Sequence, residues 1–179
     1  MGVIQLADLR KNQAIQDLIL LLASRVESKL DYQELSRELG VSRSTLREYV
    51  AFLQGTYFIE LVRPFSRKKD TGIRRAPRVY FCDCGLLRHI AQLEEGKIFE
   101  NAVFQNLRLL GALHYYQKKS GTGIDFILNE QEACEVKVSV TEFDLRRFQV
   151  LAQRLGLRKY RVVASCLFEF CRILPSALR

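Results

Sequence analysis

Apolar residues recur at helical spacing between Asn12 and Glu27, at Ile15, Leu18, Ile19, Leu22 and Val26, which predicts an amphipathic helix with Asn12 as its N-cap. The stretch "DYQELSRELG" then offers Asp31 as a second N-cap, Glu34 to complete a capping box, and Gly40 as the left-handed residue that stops the helix. "VSRSTLREYVAFLQG" starts at Ser42, commits Leu46, Tyr49, Val50 and Leu53 to one stripe and ends at Gly55. Two short helices joined by a tight turn, with an earlier helix to pack on, predict a trihelical helix-turn-helix. "YFIELVRPF" and "PRVYFCD" read as strands that bracket a loop, so the unit is expected to be a winged helix with Ser66 to Pro77 as the wing.

Further on, Asp83 caps a short helix that turns Leu86, Leu87 and Ile90 inward, and "KIFENAVFQNLRLLG" is expected to bury Phe99, Ala102, Val103, Leu107 and Leu110 before Gly111 ends it. The period then changes from helical to alternating. "ALHYYQKK", "GIDFIL" and "ACEVKVSV" are three strands, with "NEQE" as the turn between the last two. A helix from about Glu142 to Leu155, capped by Thr141 and stopped by Gly156, buries Leu145, Phe148, Leu151, Ala152 and Leu155. "KYRVVAS" supplies another strand and "CLFEFCRILP" a final edge strand. The expected fold is mixed α/β, with a winged-helix domain over 1–92 and a domain over 93–179 built on a central mixed sheet flanked by helices.

Composition sharpens this picture in two ways. Of 179 residues, 48% are hydrophobic, enough for one large domain or two small ones. The formal net charge of +8 points toward a polyanion, and its distribution says more. Arg63 to Arg78 holds seven basic residues against one acidic, whereas the rest of the first 92 residues is slightly negative. In a winged helix, Arg43, Ser44 and Arg47 would face a major groove, while Arg67, Lys68, Lys69, Arg74 and Arg75 of the wing would neutralise phosphates. Such modules also dock proteins or space domains, and Glu48 beside Arg47 interrupts the basic face.

Five cysteines without a CxxC pair, and no secretory h-region, suggest a reducing cytoplasm. Cys82 and Cys84, two apart on a predicted strand, read as small buried hydrophobes. His89 and His114 lack companions at zinc-ligand spacing. Of Tyr115 and Tyr116, which could stack on bases, at least one should be core. No apolar run is long enough to span a bilayer, so no membrane partner is expected.

The hairpin "GIDFILNEQEACEVK" carries the candidate chemistry. Alternation puts Ile124, Phe126 and Leu128 on one face and Asp125 on the other. Cys134, Val136 and Val138 likewise share a face, leaving Glu135 and Lys137 to project together from the opposite one. Paired strands would gather two carboxylates and an ammonium, with Glu100 joining from the preceding helix. The plain alternative is a solvated Glu135–Lys137 pair of little energetic value.

An acid on one strand followed by acid-x-Lys on the next resembles the PD-(D/E)XK nuclease superfamily, the restriction-endonuclease-like fold. The resemblance implies that Asp125 and Glu135 ligate Mg²⁺ or Mn²⁺, helped by the Val136 carbonyl. It implies also that Lys137 orients or deprotonates the attacking water, and that Glu100 binds a metal-bound water or a second ion. That chemistry suits a phosphodiester, whose charge resists attack until a hard cation neutralises it.

A longer resemblance covers nearly the whole chain. "LDYQELSRELGVSRSTLREYVAFLQGTYFIELVRPF", "RVYFCDCGLL", "GKIFENAVFQNL", "GIDFIL" and "CEVK" look like the C-terminal region of a prokaryotic family of AAA-type ATPases. In that family a P-loop module precedes a winged helix and a nuclease-like domain of unknown function. The resemblance implies an ATPase module upstream, although these 179 residues hold no GxxxxGK[ST], and Arg78 replaces a common Lys. The function expected is metal-dependent cleavage of nucleic acid, with DNA as the expected substrate, or engagement of it. The alternatives are a DNA-binding regulator or a protein-docking module that regulates the ATPase.

Overall fold

The computed structural model of the chain describes residues 2–66, 76–118 and 120–165, with side chains from residue 11 onward. The wing positions Arg67, Lys68, Lys69, Arg74 and Arg75, and the tail segment "CLFEFCRILP", lie outside the described residues. Among the described residues there are six helices and a six-stranded mixed sheet. The elements in chain order are α1 (Gly2–Ser24), α2 (Tyr32–Glu38), α3 (Arg43–Gly55), β1 (Ile59–Pro64), β2 (Arg78–Phe81), α4 (Cys84–Ile90) and α5 (Glu95–Leu107). They continue with β3 (Leu113–Gln117), β4 (Gly123–Leu128), β5 (Glu132–Lys137), α6 (Glu142–Arg154) and β6 (Lys159–Ala164). No helix of the described residues is long and apolar enough to cross a membrane.

Short polar side chains start most of the later helices. Asp31 accepts the Gln33 and Glu34 N–H groups, Ser42 that of Thr45, and Asp83 that of Leu86. Thr141 and Asp144 form a reciprocal capping box at α6. Glu34 does not close such a box; its carboxylate lies 3.5 Å from Arg25, which also binds Glu38 at 2.7 Å and so ties α1 to α2. Gly40 takes φ +63° and turns the chain between α2 and α3. Asn12 is no cap, because the helix already runs from Gly2 through a stretch rich in good helix formers. Helix α3 ends at Gly55 as expected, and the left-handed conformation just beyond it falls to Tyr57, at φ +56°.

Strand order is β2-β1-β3-β4-β5-β6, with β1–β3 and β5–β6 parallel and the other pairs antiparallel. The sheet is therefore continuous across the division expected near Leu93. Between β4 and β5 the chain turns over three residues, Asn129 to Gln131, with Leu128 paired to Glu132, and Asn129 and Glu130 both have positive φ. Helix α5 covers one face, packing Phe104 on Tyr80 at 4.7 Å between ring centres and reaching Phe126, Cys134 and Val136. Helix α6 covers the other face through Phe148, Leu151 and Ala152 on Ile124, Ile127 and Val162. Helices α1 to α4 build a third cluster on Ile59, Val79 and Phe81.

Three packing expectations are corrected. Leu110 lies beyond the end of α5 and is exposed, while Ile98, Asn101 and Phe104 take buried positions on that helix. Cys82 and Cys84 do not share a strand face: Cys82 follows β2 and meets Arg108, whereas Cys84 opens α4 and meets Asn101. Ile124 and Phe126 do not share a face either. His114 pairs with Ile127 and Tyr116 with Ile124, so Asp125 and Phe126 together oppose the single residue Tyr115. This β-bulge adds one residue to β4 and reverses the alternation beyond it. Gly123 allows the close approach at the start of β4, where a Cβ would stand 2.4 Å from the Tyr116 carbonyl oxygen.

Among the described residues, Asn101 is the polar residue that the core buries, at 0% exposure. Cys82 donates its N–H to Phe58, so the alternation of an antiparallel ladder turns the N–H and C=O of Phe81 outward, away from β1. Asn101 satisfies both, accepting the first at 2.8 Å and donating to the second at 3.0 Å. Val79 is satisfied in the same way by Glu27 and Ser28. The outer edge of β2 is thereby sealed against further strand addition. Asn101→Ala leaves two buried backbone groups unpaired and is expected to lower stability by about 2–5 kcal/mol in urea unfolding.

Candidate functional site

The bulge in β4 and the alternation of β5 converge on one place. One step beyond the ladder pair Phe126 and Cys134, Asp125 comes opposite Glu135. Asp125 accepts the Val136 N–H through Oδ2 at 2.9 Å, so a carboxylate takes over where a main-chain acceptor would stand. Glu135 and Lys137 point together toward the α6 side, with Lys137 Nζ 2.9 Å from Glu135 Oε1. Glu135 is not the solvated partner of a surface pair: its side chain is only 14% exposed. Its second oxygen, Oε2, is buried without a hydrogen-bond partner. Val136 sends its side chain into the opposite, α5-facing cluster.

Asp125, Glu135 and Lys137 line a cavity of about 400 Å³ together with Arg78, Thr122 and Arg147. A second cavity, of about 360 Å³, is lined by Glu27, Lys29, Glu100 and Gln117, and again by Arg78 and Asp125. The structure thus brings the strand residues together as expected but sets Glu100 on the far side of Arg78 and Asp125. Glu100 accepts the Tyr80 hydroxyl proton at 2.7 Å, and Arg78 Nη1 lies 3.6 Å from it and 3.8 Å from Asp125 Oδ1. The Arg78 guanidinium also stacks over Tyr115, 4.8 Å from the ring centre, and Tyr115 itself is core.

Burial sets the electrostatics of both acids. Desolvation, followed by the charges of Asp125 and Glu27, pushes the Glu100 carboxyl up to about 9. Glu135 rises to about 7, chiefly through burial and the neighbouring Asp125, offset in part by Lys137. Burial opposes the charge on Lys137, yet its hydrogen bond to Glu135 and the surrounding carboxylates raise its pKa above the ordinary value. At neutral pH Glu100 is therefore a neutral acid, a poor cation ligand without loss of its proton.

Among the described residues no three Asp, Glu, His or Cys side chains form a cage for a metal ion. A two-carboxylate site is what the strands can provide. Hard oxygen donors, one of them buried and unpartnered, suit Mg²⁺ or Mn²⁺ that keeps several of its waters. Asp125 Oδ1 has its nearest cation beyond hydrogen-bond range, which leaves a second donor to hand.

Of the predicted groove-facing residues, Arg43, Ser44 and Arg47 are exposed in the first turns of α3. Ser44 shares a hydrogen bond with the capping Ser42, and the Arg47 guanidinium sits 5.7 Å above the Tyr32 ring. Sequence spacing did not single out Glu27, Tyr80 or the Arg147–Thr122 contact, and it treated Arg78 as a minor change. The available signal for Arg78 was its i, i+2 relation to Tyr80, which puts both on one face of β2.

Both raised acids ionise near 4.5 when exposed, against about 9 for Glu100 and about 7 for Glu135 in the fold. Between those values the folded state retains protons that the unfolded state has released. Stability therefore falls as pH rises from about 4.5, through about 7, to about 9. Glu100→Gln copies the protonated acid: in EDTA it is expected to melt with the parent near pH 5 and above it near pH 9. Parallel melting curves across that range would remove Glu100 as the source.

Residues 2–97 match the sequence model of the family described as domain of unknown function DUF8612. No curated protein and no solved structure matches the chain. The matched segment runs from α1 into α5 and contains Arg43, Ser44, Arg47 and Arg78, while Glu100, Asp125, Glu135 and Lys137 follow it. Since the match spans more than half of the 179 residues, the chain belongs to the DUF8612 family.

Proposed function

We propose that the chain engages nucleic acid and hydrolyses a phosphodiester in the cavity between β4, β5 and α6, with Asp125 and Glu135 holding a divalent cation. The observation that carries this reading is the Glu135 carboxylate beside Asp125 in one cavity, its Oε2 buried without a hydrogen-bond partner and its Oε1 2.9 Å from the Lys137 ammonium. Leaving a carboxylate oxygen unsatisfied in the interior costs free energy, and a hard cation is the group that would satisfy it. When bound, such an ion neutralises charge that develops on the phosphate and makes an attacking water more acidic. Asp125 is held in place by the Val136 N–H, and Lys137 would orient the water and offset negative charge near Glu135. Glu100, neutral and separated by Arg78, would act as a proton donor to its surroundings in place of a ligand.

The order helix, three strands, helix, strand from α5 to β6 supports a restriction-endonuclease-like reading of this half. The tight α2–α3 turn followed by the β1–β2 hairpin supports a winged helix, whose α3 would present Arg43, Ser44 and Arg47 to a DNA groove. An AAA-type ATPase module upstream is the partner that this architecture would serve, in a reducing cytoplasm. One observation favours a second reading, a non-catalytic module that grips DNA or docks a protein. Arg78 and Lys137 already lie beside three of the carboxylates, so the cluster tolerates its own charge without an ion.

Plasmid and single-stranded DNA incubated with Mg²⁺, Mn²⁺ or EDTA separates the readings. Asp125→Ala and Glu135→Ala are expected to drop divalent-dependent cleavage to background while DNA affinity stays within about twofold. Mutants that cut as well as the parent would refute the catalytic assignment. For the grip, Arg43→Ala with Arg47→Ala is expected to flatten the log K against log salt slope by about two. No DNA binding even at low salt would favour the docking role.

A further inference from the structure

Arg78 stands where the two cavities meet. Its Nη1 is 3.6 Å from Glu100 Oε1 and 3.8 Å from Asp125 Oδ1, and its plane is fixed by the Tyr115 ring beneath it. The side chain is 14% exposed, so its charge is screened little by water. Both carboxylate distances exceed a normal hydrogen bond, so the guanidinium balances charge without closing a tight fork on either acid. Asp125 Oδ2 is occupied by the Val136 N–H, which makes Oδ1, the oxygen facing Arg78, the more available one for any other cation.

We propose that Arg78 is the resident counter-cation of this site, that it balances Asp125 in the metal-free protein, and that it weakens divalent-cation binding by opposing it at Asp125. The inference rests on the cation site proposed above. A divalent ion at a carboxylate oxygen approaches to about 2.0–2.1 Å for Mg²⁺, which would put it close to a buried positive charge only a few ångströms further on. The two cations therefore oppose each other at Asp125. Removing the fixed charge releases that opposition. Arg147, exposed on α6 and lining the same cavity, is the control, because solvent screens its field.

Mn²⁺ alone is the probe, followed by the electron paramagnetic resonance signal of the free ion, with no DNA and no turnover. Arg78→Gln is expected to bind Mn²⁺ about tenfold tighter than the parent, whereas Arg78→Lys and Arg147→Gln stay within about twofold. An unchanged or weaker affinity in a folded Arg78→Gln would overturn the proposal. Arg78→Met, with an apolar stem able to lie on Tyr115, is the second neutral variant. If both neutral variants unfold while Arg78→Lys folds, Arg78 is a structural counter-ion and the proposal is also overturned. Asp125→Asn and Glu135→Gln locate the failure. If they bind Mn²⁺ like the parent, the cation site itself is wrong. If they lose Mn²⁺ and Arg78→Gln shows no gain, only the role of Arg78 falls.

Discussion

A carboxylate withdrawn from water needs a proton, a counter-charge or a metal ion, and the cluster around Asp125 is arranged by the first two. Glu100 keeps its proton because burial and two neighbouring acids make ionisation costly. Asp125 answers to Arg78 and to a main-chain N–H, and Glu135 to Lys137. Glu135 Oε2 is buried without a hydrogen-bond partner, and Asp125 Oδ1 meets Arg78 only at 3.8 Å. The acids and their partners are spread over β2, α5, β4 and β5, so all four must be seated before the site exists.

The sheet does that seating through two departures from regularity. The bulge in β4 lets Asp125 and Phe126 oppose one β3 residue, which frees Asp125 from the ladder while Phe126 stays under Tyr80 and Phe104. The sealed outer edge of β2 holds the strand that carries Arg78. Asn101 closes it at Phe81, and the Glu27–Lys29 segment closes it at Val79 and Arg78. Glu27 itself takes φ +63° there, a conformation held by the pairing of its N–H with Val79.

Much of the local structure was legible because it depends on short-range chemistry. Asp31, Ser42, Asp83 and Thr141 cap where side-chain oxygens can reach the next turn, and Gly40 and Gly156 adopt the left-handed conformation that ends helices. The grouping of Asp125, Glu135 and Lys137 followed from strand alternation and the hairpin. What alternation could not show was the inserted residue, since a bulge leaves the sequence period locally intact and is decided by pairing with β3. Arg78 was out of reach for a similar reason: α4 separates it from Glu100 along the chain, and α4, α5 and β3 separate it from Asp125. The stripe on α5 was misread because Asn101, a polar residue, occupies a core position, which only the unpaired backbone of Phe81 explains.

Strand β1 belongs to both halves of the molecule. It pairs antiparallel with β2 and, through Arg63 and Pro64, parallel with β3. A polypeptide ending where the DUF8612 match ends would bare that flank of β1 and leave Val62 and Tyr80 without Phe104 above them. Bare main-chain donors next to an uncovered aromatic face invite association between copies. The two segments are thus obligate companions, and in heredity this would penalise recombination that exchanged one without the other.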